Sequence, residues 1–340
     1  MKNYILLICA FFIACATSQE NNSNNPVIYA ETITAKELKE HLYVYASDEF
    51  EGRETGTPGE NIAINYLKSQ YKALDIQGGM PNGDYFMPMT LNAYRENTTI
   101  DCNNVLAYIK GSEKPEEVLI ITAHLDHIGV ENDGQINNGA DDDGSGTVAI
   151  LEIAEAFQTA VKAGVKPKRS ILFLHVTGEE KGLLGSEFYT NNPVYPLENT
   201  VANLNIDMIG RIDDLHEDNP NYIYLIGSDI LSQDLHDVSA AMNDTYINLT
   251  LDYRYNDPTT EVFERGRYIQ NRYYYRSDHY NFAKNEVPVI FYFNGTHEDY
   301  HAPTDTVEKI EYDLLEKRTR LIFHTAWEIV NREKRLRLKD

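Results

Sequence analysis

From residue 34 apolar positions recur at helical spacing, and from residue 117 they gather into short continuous runs separated by amphipathic stretches. Thr34-Ala35-Lys36-Glu37 and Thr57-Pro58-Gly59-Glu60 each read as a capping box, the second with proline at the first helical position. Behind the second, Ile62, Ala63, Tyr66 and Leu67 share one stripe. A glycine-rich loop, Phe50-Glu51-Gly52-Arg53-Glu54-Thr55-Gly56, separates the two helices. The run Val118–Ala123 has no polar face, as expected of a strand buried on both sides. A helix then presents Ile150, Ile153, Ala154, Phe157 and Val161 on one stripe. Strands follow at Ser170–Val176, Val201–Ile206, Tyr222–Ile226 and Val287–Phe293, with a short helix at Leu183–Tyr189. A closing helix over Tyr312–Asn331 turns Leu314, Leu321, Ile322 and Ile329 inward. This alternation predicts an α/β fold, a mostly parallel (mixed) central sheet with helices on both faces. Residues 211–276, rich in Asp, Asn and Tyr, read equally as an excursion supplying aromatic walls to a pocket or as ordinary surface.

The chain has 340 residues, 42% of them apolar, enough for a sizeable core. Its formal charge of −23 would repel polyphosphate, which argues against a nucleic-acid partner. At the N-terminus, Lys2 precedes an apolar run from Tyr4 to Ala14, too short to span a bilayer, so residues 1–20 read as an export signal. Phe12-Ile13-Ala14-Cys15 resembles a bacterial lipobox, which would make Cys15 a lipidated first residue; plain cleavage near Ser18 is the alternative. The expectation is an exported protein, periplasmic or on the cell surface as a lipoprotein, touching a membrane only through that anchor. Residues 21–30 then read as a flexible tether and 31–340 as a single domain. Besides a lipidated Cys15, Cys102 is the cysteine left after processing, so no disulfide framework is expected and Cys102 reads as a buried thiol.

Ligands collect at the carboxyl ends of strands in open α/β sheets, and those ends are rich in metal-ligand types here. They carry Ala123-His124-Leu125-Asp126-His127, Gly139-Ala140-Asp141-Asp142-Asp143-Gly144-Ser145-Gly146, Gly178-Glu179-Glu180 and Asn205-Ile206-Asp207, with Tyr300-His301 near the C-terminus. Alone, three aspartates before a helix complement its dipole, and a lone histidine is ordinary. Together, so many carboxylates on one edge would be costly without a cation. Imidazoles and carboxylates with one shared carboxylate suit two divalent ions, zinc first, with cobalt or manganese as substitutes. Which aspartate of 141–143 is shared stays open at this level. Glu179, beside Glu180, is the candidate general base toward a metal-bound water.

These segments, in this order, resemble the M28 family of zinc peptidases, as does Ser47-Asp48-Glu49-Phe50-Glu51-Gly52-Arg53-Glu54-Thr55-Gly56; the resemblance extends from about residue 35 to 330. It implies a zinc-exopeptidase-like (phosphorylase/hydrolase-like) sandwich and an aminopeptidase acting on peptides with a free N-terminus. It assigns His124 and Asp207 to one zinc, Glu180 and His301 to the other, Asp142 as the bridge, Glu179 as base and Asp126 as the partner orienting His124. Asp278, His279 and Tyr300 become candidate pocket residues. Some relatives place an oxyanion-stabilising tyrosine before the proline that follows Ser-Asp-His; here Val287 precedes Pro288, so a tyrosine of 273–275 or His279 would have to serve. A glutaminyl cyclase, a carboxypeptidase or aminoacylase, and a metal-free peptide-binding relative are the competing expectations.

Overall fold

The computed structural model describes residues 24–93, 98–264 and 266–339. Cys15, the expected signal and the first part of the tether lie outside them. The tether expectation fails over its last residues: Pro26–Ala30 form a short helix, α1, capped by Asn25, whose side chain accepts from the Val27 N–H at 3.1 Å. Tyr29 is buried and stacks on Trp327 with ring centroids 5.4 Å apart, so this segment is tied to the core. Asn-rich composition had suggested solvation, but an Asn cap, a proline and one aromatic anchor suffice for a turn of helix.

Helix α2 (Ala35–Tyr45) starts as expected, with Thr34 Oγ1 accepting from the Glu37 N–H at 3.1 Å. Helix α3 (Pro58–Ala73) has its proline at the start, yet the second capping box does not form. Thr57 donates to the Glu54 carbonyl instead, and Glu60 turns inward to accept from the Gly56 N–H at 2.6 Å and from the Thr177 hydroxyl. Ile62 is exposed, and the buried stripe of α3 runs through Ala63, Ile64, Leu67 and Tyr71.

The strands are β1 (Gln77–Gly78), β2 (Phe86–Ala93), β3 (Thr98–Ile109), β4 (Lys114–His124), β5 (Arg169–Val176), β6 (Thr200–Ile206), β7 (Tyr222–Ile226), β8 (Thr250–Asp252), β9 (Glu261–Glu264), β10 (Arg267–Gln270) and β11 (Val289–Phe293). The main sheet runs β1-β3-β5-β4-β6-β11-β7-β8, with β2 paired to β3. Its centre, β5-β4-β6-β11, is parallel throughout; β3 and β7 join antiparallel at its two sides, so the sheet is mixed. The hairpin β2–β3 had no forecast from the sequence, because Pro88 and the polar front half of β3 blur the alternation.

One face of the sheet is covered by α1–α3, α4 (Gly146–Lys162), α6 (Gln233–Met242) and α8 (Tyr312–Asn331), the other by α5 (Leu184–Asn191) and α7 (His279–Ala283). In α8 Leu315 takes the buried place expected of Leu314, and Leu321, Ile322 and Ile329 face inward as expected. Cys102 is buried and reduced. Residues 211–276 divide between both readings: β7, β8 and α6 extend the sheet and its cover, β9–β10 form a separate hairpin, and Tyr273 walls a cleft. No helix among the described residues is long and apolar enough to cross a membrane.

Candidate metal centre

The four parallel central strands all end on the same edge, and each delivers part of one cluster there. His124 closes β4; Glu179 and Glu180 follow β5; Asp207 follows β6; His301 lies in the loop after β11. Asp142 comes from the turn that opens α4, where a cis peptide joins it to Asp143. Gly139 permits that turn: at φ +54° its backbone passes so close that a Cβ would lie 2.2 Å from the Asp142 carbonyl and 2.6 Å from the His127 ring.

The three consecutive aspartates, indistinguishable by composition, have separate partners. Asp141 accepts from the Gly210 N–H at 2.6 Å and faces His297 Nε2 at 3.2 Å. Asp143 accepts three backbone N–H groups, of His124, Gly146 and Met208, at 3.0–3.1 Å. Its oxygens also lie within reach of His124 and Asp207, a second arrangement that could hold an ion, although those backbone bonds take three of its roughly four acceptor positions. Asp142 alone of the three turns both oxygens to imidazoles: Oδ1 stands 3.1 Å from His124 Nε2, and Oδ2 3.2 Å from His301 Nε2. His124 Nε2 is also 3.7 Å from Asp207, and His301 Nε2 is 3.1 Å from Glu180. All five residues of the expected ligand set therefore meet, in two groups joined by Asp142.

His127 joins them unforeseen. Its Nδ1 lies 2.9 Å from Glu180 Oε1 and 3.8 Å from Asp142 Oδ2. Its place in the His124–His127 run was the available signal, but nothing in spacing separates a ligand neighbour from an ordinary loop histidine. His127 Nδ1, Asp142 Oδ2 and Glu180 Oε1 are buried without a well-formed hydrogen bond, a set of orphaned atoms that a divalent cation fits.

Around this cluster lies a supporting layer. His124 Nδ1 meets the backbone carbonyl of Asp126 at 3.0 Å, while the Asp126 carboxylate stands 3.8 Å away, out of hydrogen-bond reach. That carboxylate instead accepts from the Glu179 N–H at 3.2 Å and the Thr55 hydroxyl at 2.8 Å, so Asp126 orients His124 through its main chain and fixes Glu179 with its side chain. Ser277 donates to Asp207 at 2.6 Å. Asp305 accepts from the N–H groups of Asp141 and Asp142, fastening the His301 loop to the Asp142 turn. Arg53, fully buried, donates to the Asn138 and Gly139 carbonyls ahead of the same turn.

A cleft opens onto the cluster, lined by His124, Asp142, Glu179 and Asp207 together with Met208, Tyr273, Phe291, Phe293 and Tyr300. Tyr300, a candidate pocket residue from the sequence, lines this cleft. Asp278 and His279 are not in the cleft: both are fully buried, Asp278 accepting from the Ser186 hydroxyl and His279 stacking on Phe291 at 4.8 Å. The first turn of α7 points into the core, so of Ser277-Asp278-His279 only the serine reaches a ligand residue.

The electrostatics suit a cation. Burial works against charge on His124 and His301, but the carboxylates outweigh it: Asp142 and Asp207 hold His124 well above the usual imidazole range, and Asp142 with Glu180 push His301 up to about 10. Burial pushes Glu179 well above the carboxylate range, His124 pulls it back in part, and Glu180 beside it adds to the rise. A divalent ion would displace the imidazole protons and lower the cost of a charged Glu179.

Comparison with known proteins identifies the family of the chain. The sequence profile described as Peptidase family M28 matches residues 104–326. A protein named "Probable leucine aminopeptidase" from Arthroderma otae is 28% identical over 232 residues, covering 66% of this chain and 57% of that protein. A protein of the same name from Trichophyton verrucosum is 26% identical over 309 residues, covering 88% of this chain and 74% of that protein. Among solved structures, the LapA aminopeptidase of Legionella pneumophila superposes with a TM-score of 0.68 at 20% identity, covering 98% of this chain and 79% of that one. At that identity the likeness speaks for the fold.

Proposed function

This chain belongs to peptidase family M28, and from that premise we propose that it is a zinc aminopeptidase that removes N-terminal residues from peptides. The observation that carries the reading is the split of the Asp142 carboxylate, one oxygen toward His124 and the other toward His301, which suits a bridge between two ions. His124 and Asp207 would hold one zinc, Glu180 and His301 the other, with cobalt or manganese as substitutes. When bound, the ions would polarise the scissile carbonyl and acidify a water between them.

The chain's own residues account for the rest. Glu179 lines the cleft without joining the close ligand contacts, and its backbone is anchored on Asp126. It takes the proton from the attacking water and returns it to the leaving amine. A free α-ammonium group is the cation that a cleft walled by Asp142, Glu179 and Asp207 attracts, which favours exopeptidase action at the N-terminus. The apolar wall of Met208, Phe291 and Phe293 suits an apolar first side chain. At the N-terminus, the lipobox-like run ending in Cys15 supports an exported lipoprotein anchored at the cell envelope.

The test is release of the first residue from short peptides and from their N-acetylated forms, with and without a chelator. Release that is stopped by chelation, restored by zinc and absent from acetylated peptides is expected. Equal release from acetylated peptides would refute the N-terminal reading.

A further inference from the structure

Glu60 on α3 carries a buried carboxyl group, 2% exposed, that belongs to neither group of metal ligands. Its neighbours on the same stripe, Ala63, Ile64 and Leu67, are apolar, and a carboxyl in their company is costly unless donors meet it. Each of its oxygens takes a donor from a segment that leads to Glu179. Oε1 accepts from the hydroxyl of Thr177, two residues ahead of Glu179 in the chain. Oε2 accepts from the Gly56 N–H at 2.6 Å. Thr55, next to Gly56, donates to the Asp126 carboxylate at 2.8 Å, and the other oxygen of Asp126 accepts the Glu179 N–H at 3.2 Å. These links close a ring from Glu60 through Asp126 and Glu179 back to Glu60. Gly178, between Thr177 and Glu179, stands at φ +69°, a pivot with no side chain to steady it. The approach to Glu179 is therefore fixed at Thr177 and at Asp126, and Glu60 ties the two.

We propose that Glu60 is a positioning residue for peptide hydrolysis: its carboxyl group joins these two fixed points and so aims the Glu179 side chain into the cleft. The proposal rests on Glu179 acting as the general base. A base must meet the attacking water at hydrogen-bond distance, and a misplacement of about 1 Å can cost about 10²-fold in rate. Asp126 alone would leave the base free to swing about Gly178, because one hydrogen bond fixes a point and not a direction. The second tie, through Thr177, sets the direction. Glu180 does not depend on this ring, since His127 and His301 stand beside its carboxylate at 2.9 Å and 3.1 Å. Loss of Glu60 therefore falls on kcat, with little effect on zinc content or KM.

The experiment measures kcat and KM for Leu-Gly-Gly with zinc-saturated wild type, Glu60→Met, Glu179→Gln and the double variant. Methionine fills much of the volume and offers neither oxygen. Glu60→Met should lower kcat by about tenfold or more, with KM and zinc per chain within about twofold of wild type. In the Glu179→Gln background the same substitution should be silent, because no base is left to misplace. Glu60→Gln should recover most of the loss, since its carbonyl can accept from Gly56 and its amide can donate to Thr177. An unchanged kcat in Glu60→Met would overturn the proposal and leave the base reading standing. So would an equal loss in both backgrounds, which is what a purely structural role for Glu60 produces. Near-wild-type kcat in Glu179→Gln would refute the base reading itself, and the proposal with it. Where Glu60→Met does not reach the wild-type circular dichroism spectrum, Thr177→Val cuts the same ring on its other side, and the same comparison with and without Glu179 decides.

Discussion

Replacing Arg53 with methionine should destabilise the protein and loosen the metal centre together. Arg53 is fully buried at the junction of three segments. Its guanidinium donates to the carbonyls of Leu125 at 3.2 Å, Tyr45 at 3.3 Å, Asn138 at 2.7 Å and Gly139 at 2.9 Å, and lies 4.8 Å from the Tyr45 ring centroid. It thereby ties the end of α2 and the turn after His124 to the loop that carries Asp142. A hydrogen bond to a charged donor contributes about 1.5–3 kcal/mol. The bonds of one guanidinium are not additive, and some carbonyls will recruit water, so the expected loss is about 3–5 kcal/mol. Methionine is chosen because it fills much of the volume and shares the strain of a positive φ, +51° at this position, which glycine would relieve. Urea unfolding of the metal-free protein should show a midpoint lower by about 1 M or more. Zinc affinity should fall as well, since two of the lost bonds fix the loop before Asp142. A loss below about 1 kcal/mol with unchanged zinc affinity would refute the argument that Arg53 is the fastening between these loops.

Glu179→Gln should lower kcat by about 10³-fold or more while metal content stays at the wild-type level; loss of metal would make Glu179 a ligand instead. His127→Ala removes the imidazole 2.9 Å from Glu180 and should weaken zinc binding by about tenfold, read by chelator competition; unchanged affinity would make His127 a bystander. The proton dependence has a definite sign. Metal-free His301 is held up to about 10, so below that pH it carries a proton that zinc must displace. Zinc affinity should therefore rise with pH from 6 toward 9, by about tenfold per unit for each proton displaced, with matching proton release in calorimetry across buffers. Affinity flat over that range would refute the assignment of His301 to the metal.

Much of this was legible in the sequence because the chemistry sits where the strand pattern ends. Apolar runs such as Val118–Ala123 stop abruptly at His124, and the same break recurs before Glu179 and Asp207. What could not be read was partner choice. Asp141, Asp142 and Asp143 are chemically equal, and only the backbone N–H groups that occupy Asp143 and the contacts of Asp141 leave Asp142 facing both imidazoles. Glu60 looked like a capping residue because three-residue spacing is all a sequence offers; burial turned it inward to Gly56 and Thr177. Arg53 stood in a glycine-rich loop with no periodicity to mark it as buried. Asp278 and His279 looked like pocket residues by motif, but the direction of a short helix put them in the core.

The central claim is a centre for two metals joined by Asp142. Its most direct test is metal counted per chain in purified protein titrated with zinc, with peptide release followed in the same samples, for wild type and Asp142→Asn. The account predicts a plateau near about two zinc per chain with activity rising as the sites fill, and fewer than about one retained by the variant. A wild-type plateau at one zinc with full activity, or a variant that keeps the full complement, would contradict it.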